Sequence, residues 1–135
     1  MVNLNPNIDP STVKILVVDD IPLNVMLIEK MMAMQGVKAL KANSGKVALE
    51  MIEQDCPDVV LLDIIMPEMN GYEVVEKIRE KYTQEQLPIV MLSALNANDD
   101  VAKAKKLGAN DFLTKPVVAE RLFNTLFTIL NERLG

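Results

Sequence analysis

Short apolar runs alternate with longer segments of helical spacing along most of the chain. Three runs are apolar throughout, at residues 15–18, 59–62 and 89–92. Strands that are apolar on both faces are typical of a parallel sheet covered by helices. In a sheet with one solvent-exposed face, apolar and polar residues alternate along each strand. Two weaker runs, residues 37–40 and 111–113, have the position and length to complete a set of five strands.

The segments between these runs have the spacing of amphipathic helices. We predict five helices, at residues 22–35, 44–53, 71–81, 97–107 and 118–133. Pro22 suits the first turn of a helix, and Ser44 can cap the start of the second. Gly36 and Gly108 each follow a predicted helix end, where a left-handed backbone is favoured.

Alternating strands and helices predict an α/β fold with a doubly wound, five-stranded parallel sheet. We expect the flavodoxin-like strand order 2-1-3-4-5, in which ligands lie beyond the carboxyl ends of the strands. The chain begins with three Asn and two Pro among its first twelve residues. We therefore predict a flexible N-terminal lead-in at residues 1–13 and a single domain at residues 14–135.

The amino-acid composition excludes several classes of function. The chain has 135 residues, 50% of them hydrophobic, a net charge of −5 and a pI near 4.7. This acidic balance argues against direct binding of nucleic acid, whose phosphates attract Lys and Arg. One cysteine, no signal-peptide pattern and no apolar run of roughly 20 residues predict a cytoplasmic protein without a membrane span. The absence of histidine excludes imidazole metal sites and Ser-His triads on this chain.

Polar side chains follow four of the predicted strands. Asp19 and Asp20 end the first, Asp63 the third and Ser93 the fourth, and Lys115 follows the fifth. Carboxyl ends of parallel strands meet at one edge of the sheet, so we expect these groups to lie together.

Clustered carboxylates repel one another unless a cation neutralises them, and Mg²⁺ prefers oxygen ligands. Adjacent residues in a strand point to opposite faces, so Asp19 and Asp20 can share one ion only where the strand ends. Asp63 is then free to act as a nucleophile, with the ion and Lys115 withdrawing charge from an incoming phosphoryl group. The Lys115-Pro116 bond could be cis or trans.

The residues that carry this chemistry resemble the receiver domains of two-component response regulators. The matching motifs occur in order over residues 14–133: Val17-Val18-Asp19-Asp20, Leu62-Asp63-Ile64-Ile65-Met66-Pro67 with Asn70-Gly71, Ser93-Ala94, and Thr114-Lys115-Pro116. Two positions depart from the family pattern. Val117 stands where Phe is common after Lys-Pro, and Ser93 stands where Thr is commoner but keeps the hydroxyl.

The resemblance implies a role for each site residue. Asp63 would accept a phosphoryl group from a phosphohistidine on a histidine kinase or histidine phosphotransfer protein, with Asp19, Asp20, Asp63 and the backbone carbonyl of Ile65 around Mg²⁺. Ser93 would bind the phosphoryl group, and Phe112 would move inward when Ser93 shifts. The domain would be a signalling module rather than an enzyme, acting on a downstream output protein or domain and assisting its own phosphorylation and dephosphorylation.

Three alternative functions would each require other residues than those present. A nucleotide- or flavin-binding domain needs a glycine-rich turn after the first strand, whereas Asp19-Asp20-Ile21-Pro22 is acidic and lacks glycine. An aspartyl-phosphate phosphatase would want a second acid/base carboxylate just after the nucleophile, where Ile64 and Ile65 stand. A degenerate receiver used only as an interaction module conflicts with the intact set of carboxylates, hydroxyl and lysine.

Three further features concern partners and phosphate lifetime. With Leu27, Ile28, Met31 and Met32 as the core stripe of the first helix, we expect Ile21, Leu23 and Met26 to form a docking patch for the phosphodonor protein. A wide apolar arc on the last helix allows a phosphorylation-dependent homodimer. The aliphatic residues Ile65 and Leu95 are expected to hinder water at the phosphorylated site.

Overall fold

The strands form one five-stranded parallel sheet. The structure is a computed structural model, and it describes residues 2–94 and 98–135. The strands are β1 (Ile15–Val18), β2 (Ala39–Ala42), β3 (Val59–Asp63), β4 (Ile89–Ser93) and β5 (Asp111–Thr114). Their order in the sheet is β2-β1-β3-β4-β5, with every neighbouring pair parallel. The predicted fold class and strand order are confirmed.

In the described part of the chain, five α-helices cover the two faces of the sheet. They are α1 (Pro22–Ala33), α2 (Gly45–Gln54), α3 (Gly71–Arg79), α4 (Asn98–Leu107) and α5 (Ala119–Leu134). Residues of β1 alternate between two buried clusters, one shared with α1 and α5 and the other with α2, α3 and α4. Burial on both faces explains why the strand sequences are apolar without alternation.

Two predicted local features appear at the helix ends. The hydroxyl of Ser44 accepts a hydrogen bond from the Val47 amide at 3.2 Å and so caps α2. Gly36 follows α1 with a φ of +75°, a left-handed conformation that side chains other than glycine rarely adopt.

Strand β2 begins two residues later than the apolar pattern predicts. Its register with β1 pairs Ile15 with Ala39 and Val18 with Ala42, so the hydrogen-bonded ladder, rather than hydropathy, sets its length. Val37 is buried before the strand starts. Its apolar character therefore reflects core packing and not strand formation.

Helix α1 buries most of the predicted core stripe but not all of it. Val25, Ile28 and Met32 are buried, whereas Leu27 is 47% exposed, so its assignment to the core stripe is wrong. Successive helical residues are about 100° apart, and Leu27 points well away from the buried line that passes through Ile28.

The apolar arc of α5 is mostly core. Its buried residues are Leu122, Phe123, Leu126, Phe127 and Leu130, and Ile129 packs partly buried beside them. The rings of Phe123 and Phe127 stack with centroids 5.4 Å apart. This packing accounts for the width of the arc, and the phosphorylation-dependent homodimer stays a prediction.

The N-terminal segment, expected to be a flexible lead-in, packs against α5 and the core. The Val2 amide donates to Asn124 Oδ1 at 2.7 Å, and the Asn5 amide donates to Asn131 Oδ1 at 2.8 Å. Ile8 is buried in the same cluster as α1 and α5. The apolar core therefore extends across the predicted domain boundary at residue 14.

Residue 97, the predicted start of the fourth helix, lies outside the described residues, and α4 begins at Asn98. Within residues 2–94 and 98–135, no helix has the length and apolar character needed to cross a membrane.

Candidate functional site: a carboxylate cluster at the edge of the sheet

The carboxyl ends of the strands gather the predicted site residues at one edge of the sheet. Asp19 and Asp20 follow β1, Asp63 and Ser93 are the last residues of β3 and β4, and Lys115 follows β5. In the described part of the chain, the buried polar residues are Asp19, Asp63 and Ser93. Buried polar groups require partners, so their concentration here marks a built site rather than a set of loop caps.

Three carboxylates converge at this edge. One oxygen from each of Asp19, Asp20 and Asp63 lies within 4.8 Å of the others. Oxygen ligands of this number and charge suit a hard divalent cation such as Mg²⁺. The main chain of Ile65 also borders the cluster, because its amide donates to Asp63 Oδ1 at 3.3 Å.

Lys115 supplies the positive charge that balances the buried carboxylates. Its Nζ lies 2.8 Å from Asp63 Oδ1 and 4.0 Å from Asp19 Oδ2. The Lys115 amide donates to the Ser93 carbonyl at 2.8 Å, which ties the loop after β5 to the end of β4. The Lys115-Pro116 peptide bond is cis.

The protonation of Asp63 reflects competing influences. Burial raises the pKa of Asp63 above its usual range, and the nearby charge of Asp19 acts in the same direction. The hydrogen bond and charge of Lys115 lower it, but they do not offset burial. A carboxylate in this setting is stabilised by further positive charge, which a bound divalent cation would supply.

The turn after β3 is held tightly against the carboxylate. The Gly71 amide donates to the Ile64 carbonyl at 2.8 Å. A Cβ on Gly71 would lie 2.3 Å from the Asp63 carbonyl oxygen, so only glycine fits there without movement of the backbone. Asn70 caps α3 in a reciprocal capping box with Glu73. The Asn-Gly pair of the motif therefore fixes the backbone beside Asp63.

The two predicted switch residues lie on neighbouring strands. Ser93 is buried and pairs in register with Thr114, two residues after Phe112. The ring of Phe112 is half-buried against the α2–α3–α4 side, and Lys105 Nζ lies 5.5 Å from its centroid. Because the two strands are paired, a movement of β4 at Ser93 would also displace β5.

The predicted docking residues are exposed beside the cluster. The exposed fractions are 48% for Ile21, 56% for Leu23 and 41% for Met26. A separate groove of about 410 Å³ borders Asp19 and Lys115, and its apolar lining includes Leu27 and Met31 of α1 and Val117. The misassigned Leu27 therefore adds to the apolar surface near the site.

Sequence reasoning missed one polar contact in the cluster. Asn24, on the first turn of α1, donates from Nδ2 to Asp19 Oδ2 at 3.1 Å. The available signal was a lone amide among apolar residues, one helical turn after Asp20.

Comparison with known proteins identifies the class of molecule that this fold and site define. The family described as the response regulator receiver domain matches residues 15–127. The chain belongs to this family, the receivers of two-component signal transduction.

Individual relatives support the assignment. The response regulator PleD of Caulobacter vibrioides is 39% identical over 121 residues, which cover 90% of this chain and 27% of PleD. Protein PilH of Pseudomonas aeruginosa is 33% identical, with 87% and 97% of the two chains covered. The chain therefore spans about a quarter of PleD but nearly all of PilH.

Solved structures share the fold closely. A two-component response regulator from Clostridium difficile superposes with a TM-score of 0.84 at 26% identity, covering 92% of this chain and all of the other. The chemotaxis protein CheY4 of Vibrio cholerae gives a TM-score of 0.81 at 29% identity, with 89% and 100% covered. Neither comparison favours the nucleotide-binding or phosphatase alternatives.

Proposed function

We propose that Asp63 is the phosphoacceptor of this receiver and that Asp19, Asp20, Asp63 and the carbonyl of Ile65 bind Mg²⁺. The observation that supports it best is a buried Asp63 whose carboxylate meets Lys115 Nζ at 2.8 Å and two further carboxylates. Incubation with a small-molecule phosphodonor and Mg²⁺, with Asp63→Asn as control, tests the assignment.

Asp63 and Lys115 would have different roles in phosphoryl transfer. One carboxylate oxygen of Asp63 attacks phosphorus, the bond from phosphorus to the donor imidazole breaks, and histidine is restored on the donor. When bound, Mg²⁺ neutralises charge on the phosphoryl oxygens. Lys115 provides a second positive charge from the loop after β5, at a site already fixed by the fold.

We propose that Ser93 and Phe112 transmit the structural change caused by phosphorylation. The Ser93 hydroxyl would donate a hydrogen bond to the phosphoryl group, and Phe112 would turn inward as β4 adjusts. Both residues border the face made of α4, β5 and α5, which would then change its affinity for an output protein or domain. A solved relative is a two-component response regulator with a GGDEF domain, and this chain spans 51% of it.

We further propose a cytoplasmic location and a histidine kinase or histidine phosphotransfer protein as the donor. The donor would dock on this chain at the exposed patch of Ile21, Leu23 and Met26 beside the cluster. Apolar side chains exposed together are typical of protein interaction sites, and methionine adapts to the shape of a partner.

Replacing Leu23 and Met26 with Glu is expected to slow transfer from the protein donor by about tenfold or more, since charge would be placed in an apolar contact. Transfer from a small-molecule donor should be unchanged, because neither side chain reaches the carboxylates. Both rates are followed by incorporation of labelled phosphate. Equal losses with the two donors would mean that the substitutions damage the site itself, and the docking assignment would fail.

A second variant concerns the lifetime of the phosphorylated state. Ile65 is 71% exposed, and its amide donates to the Asp63 carboxylate, so its backbone lies beside the phosphoacceptor. We propose that its side chain flanks the route by which water would approach. The partner residue predicted for this role, Leu95, lies outside the described residues. An aliphatic side chain cannot orient water by hydrogen bonding.

Ile65→Asn is therefore expected to accelerate loss of phosphate about threefold to tenfold, which is about 0.6 to 1.4 kcal/mol in the barrier. The measurement is decay of phosphoprotein after removal of the donor at fixed Mg²⁺. Ile65→Leu serves as the matched control and should decay at the parent rate. If Asn and Leu variants decay equally, Ile65 does not control access of water.

A further inference from the structure

The start of α1 binds Asp19 through both carboxylate oxygens. The Ile21 amide donates to Oδ1 at 2.9 Å, and the Asn24 side-chain amide donates to Oδ2 at 3.1 Å. Asp19 is buried, whereas Asn24 is half-buried on the first helical turn. The carboxylate is thus fixed in direction by one backbone and one side-chain donor.

The Asn24 contact has no evident purpose in forming the helix. Pro22 begins α1 and Ile21 is its N-cap, without a side-chain hydrogen bond at the cap. The backbone amide of Asn24 already bonds the Ile21 carbonyl at 3.1 Å. Asparagine is a poorer helix former than alanine or leucine, so the helix alone gives no reason for an amide here.

Lys115 is the competing donor for the same oxygen. Its ammonium lies 4.0 Å from Asp19 Oδ2, the atom to which Asn24 donates, and 2.8 Å from Asp63 Oδ1. Without the Asn24 amide, Asp19 could rotate toward Lys115 and draw the ammonium away from Asp63. A lysine held between the two carboxylates would also oppose a divalent cation by charge repulsion.

We propose that Asn24 is a positioning residue that orients Asp19 for the divalent cation and keeps Lys115 on Asp63. The inference deepens the proposed function and rests on its cation site. Donors that orient a metal ligand commonly affect metal affinity about 10- to 100-fold when removed. The effect here should lie near the lower end, because the Ile21 amide still holds Asp19 Oδ1.

Mg²⁺ binding by isothermal titration calorimetry tests the proposal on the folded full chain. Asn24→Ala should weaken binding about tenfold. Asn24→Gln keeps an amide donor and should recover part of that loss. Met34→Ala, at the far end of α1 with 73% of the residue exposed, is the control and should bind Mg²⁺ as the parent does.

The outcomes separate this inference from the proposed function. Weaker binding by Asn24→Ala with parental binding by Met34→Ala supports the positioning role, whatever the metal-free melting temperatures are, because the titration is made on folded protein. Parental affinity in Asn24→Ala overturns it while leaving the cation site intact. Failure of the parent itself to bind Mg²⁺ would instead overturn the cation site, and the inference with it.

Discussion

Lys115→Ala is expected to reduce the rate of phosphoryl transfer to Asp63 by about 10²- to 10³-fold, the usual effect of removing one charge-stabilising donor from an active site. The ammonium is 2.8 Å from Asp63 Oδ1 and is the nearest cation to the carboxylates among the described ion pairs. Without the ammonium, only the divalent cation would stabilise the negative charge that develops on the phosphoryl oxygens. A small-molecule donor at saturating Mg²⁺ isolates this effect from partner docking.

The control for this variant is a lysine outside the carboxylate cluster. Lys106→Ala, on the last turn of α4, removes one charge without touching the carboxylates and should transfer at the parental rate. Thermal melting of both variants without Mg²⁺ separates lost chemistry from lost folding. Transfer by Lys115→Ala within about twofold of the parent would show that the lysine does not stabilise charge in transfer.

The sheet and the site edge could be predicted because both follow from short-range patterns. A strand buried on both faces must be apolar throughout, as in β1, β3 and β4. A parallel sheet then brings the residues that end each strand to one edge, which places Asp19, Asp63 and Ser93 together. No distance information is needed for either step.

Features set by tertiary contacts could not be predicted in the same way. The register of β2 depends on its pairing with β1, and Val37 is apolar for packing rather than for strand formation. The inward face of α1 depends on how the helix sits on the sheet, which a helical wheel leaves open by about one residue, enough to misplace Leu27.

The N-terminal segment shows the same limit. Its composition is typical of a mobile tail, but Ile8 and Val13 find apolar partners on the surface formed by α1 and α5. The amide groups of Asn124 and Asn131 then bond the backbone of this segment. Contacts across more than 120 residues cannot be read from local sequence. The contact of Asn24 with Asp19 is local, but the sequence does not show which way a side chain on the first helical turn points.

Substitution of Asp63 has the largest expected effect on phosphorylation. Asp63→Asn keeps the size and shape of the side chain but replaces the attacking carboxylate oxygen with a poorly nucleophilic amide. Because Asp63 is buried and bonded to Lys115, the variant also needs a check of folding by thermal melting. Asp55→Asn, an exposed carboxylate paired with Lys14 at the surface, is the matched control.

Intact mass after incubation with a small-molecule phosphodonor and Mg²⁺ is the most direct measurement. We expect the parent and Asp55→Asn to gain the mass of one phosphoryl group, and folded Asp63→Asn to gain none. Treatment with hydroxylamine, which cleaves acyl phosphates, should remove the added group from the parent. A phosphoryl adduct on folded Asp63→Asn equal to that on the parent would contradict the assignment of Asp63 as the phosphoacceptor.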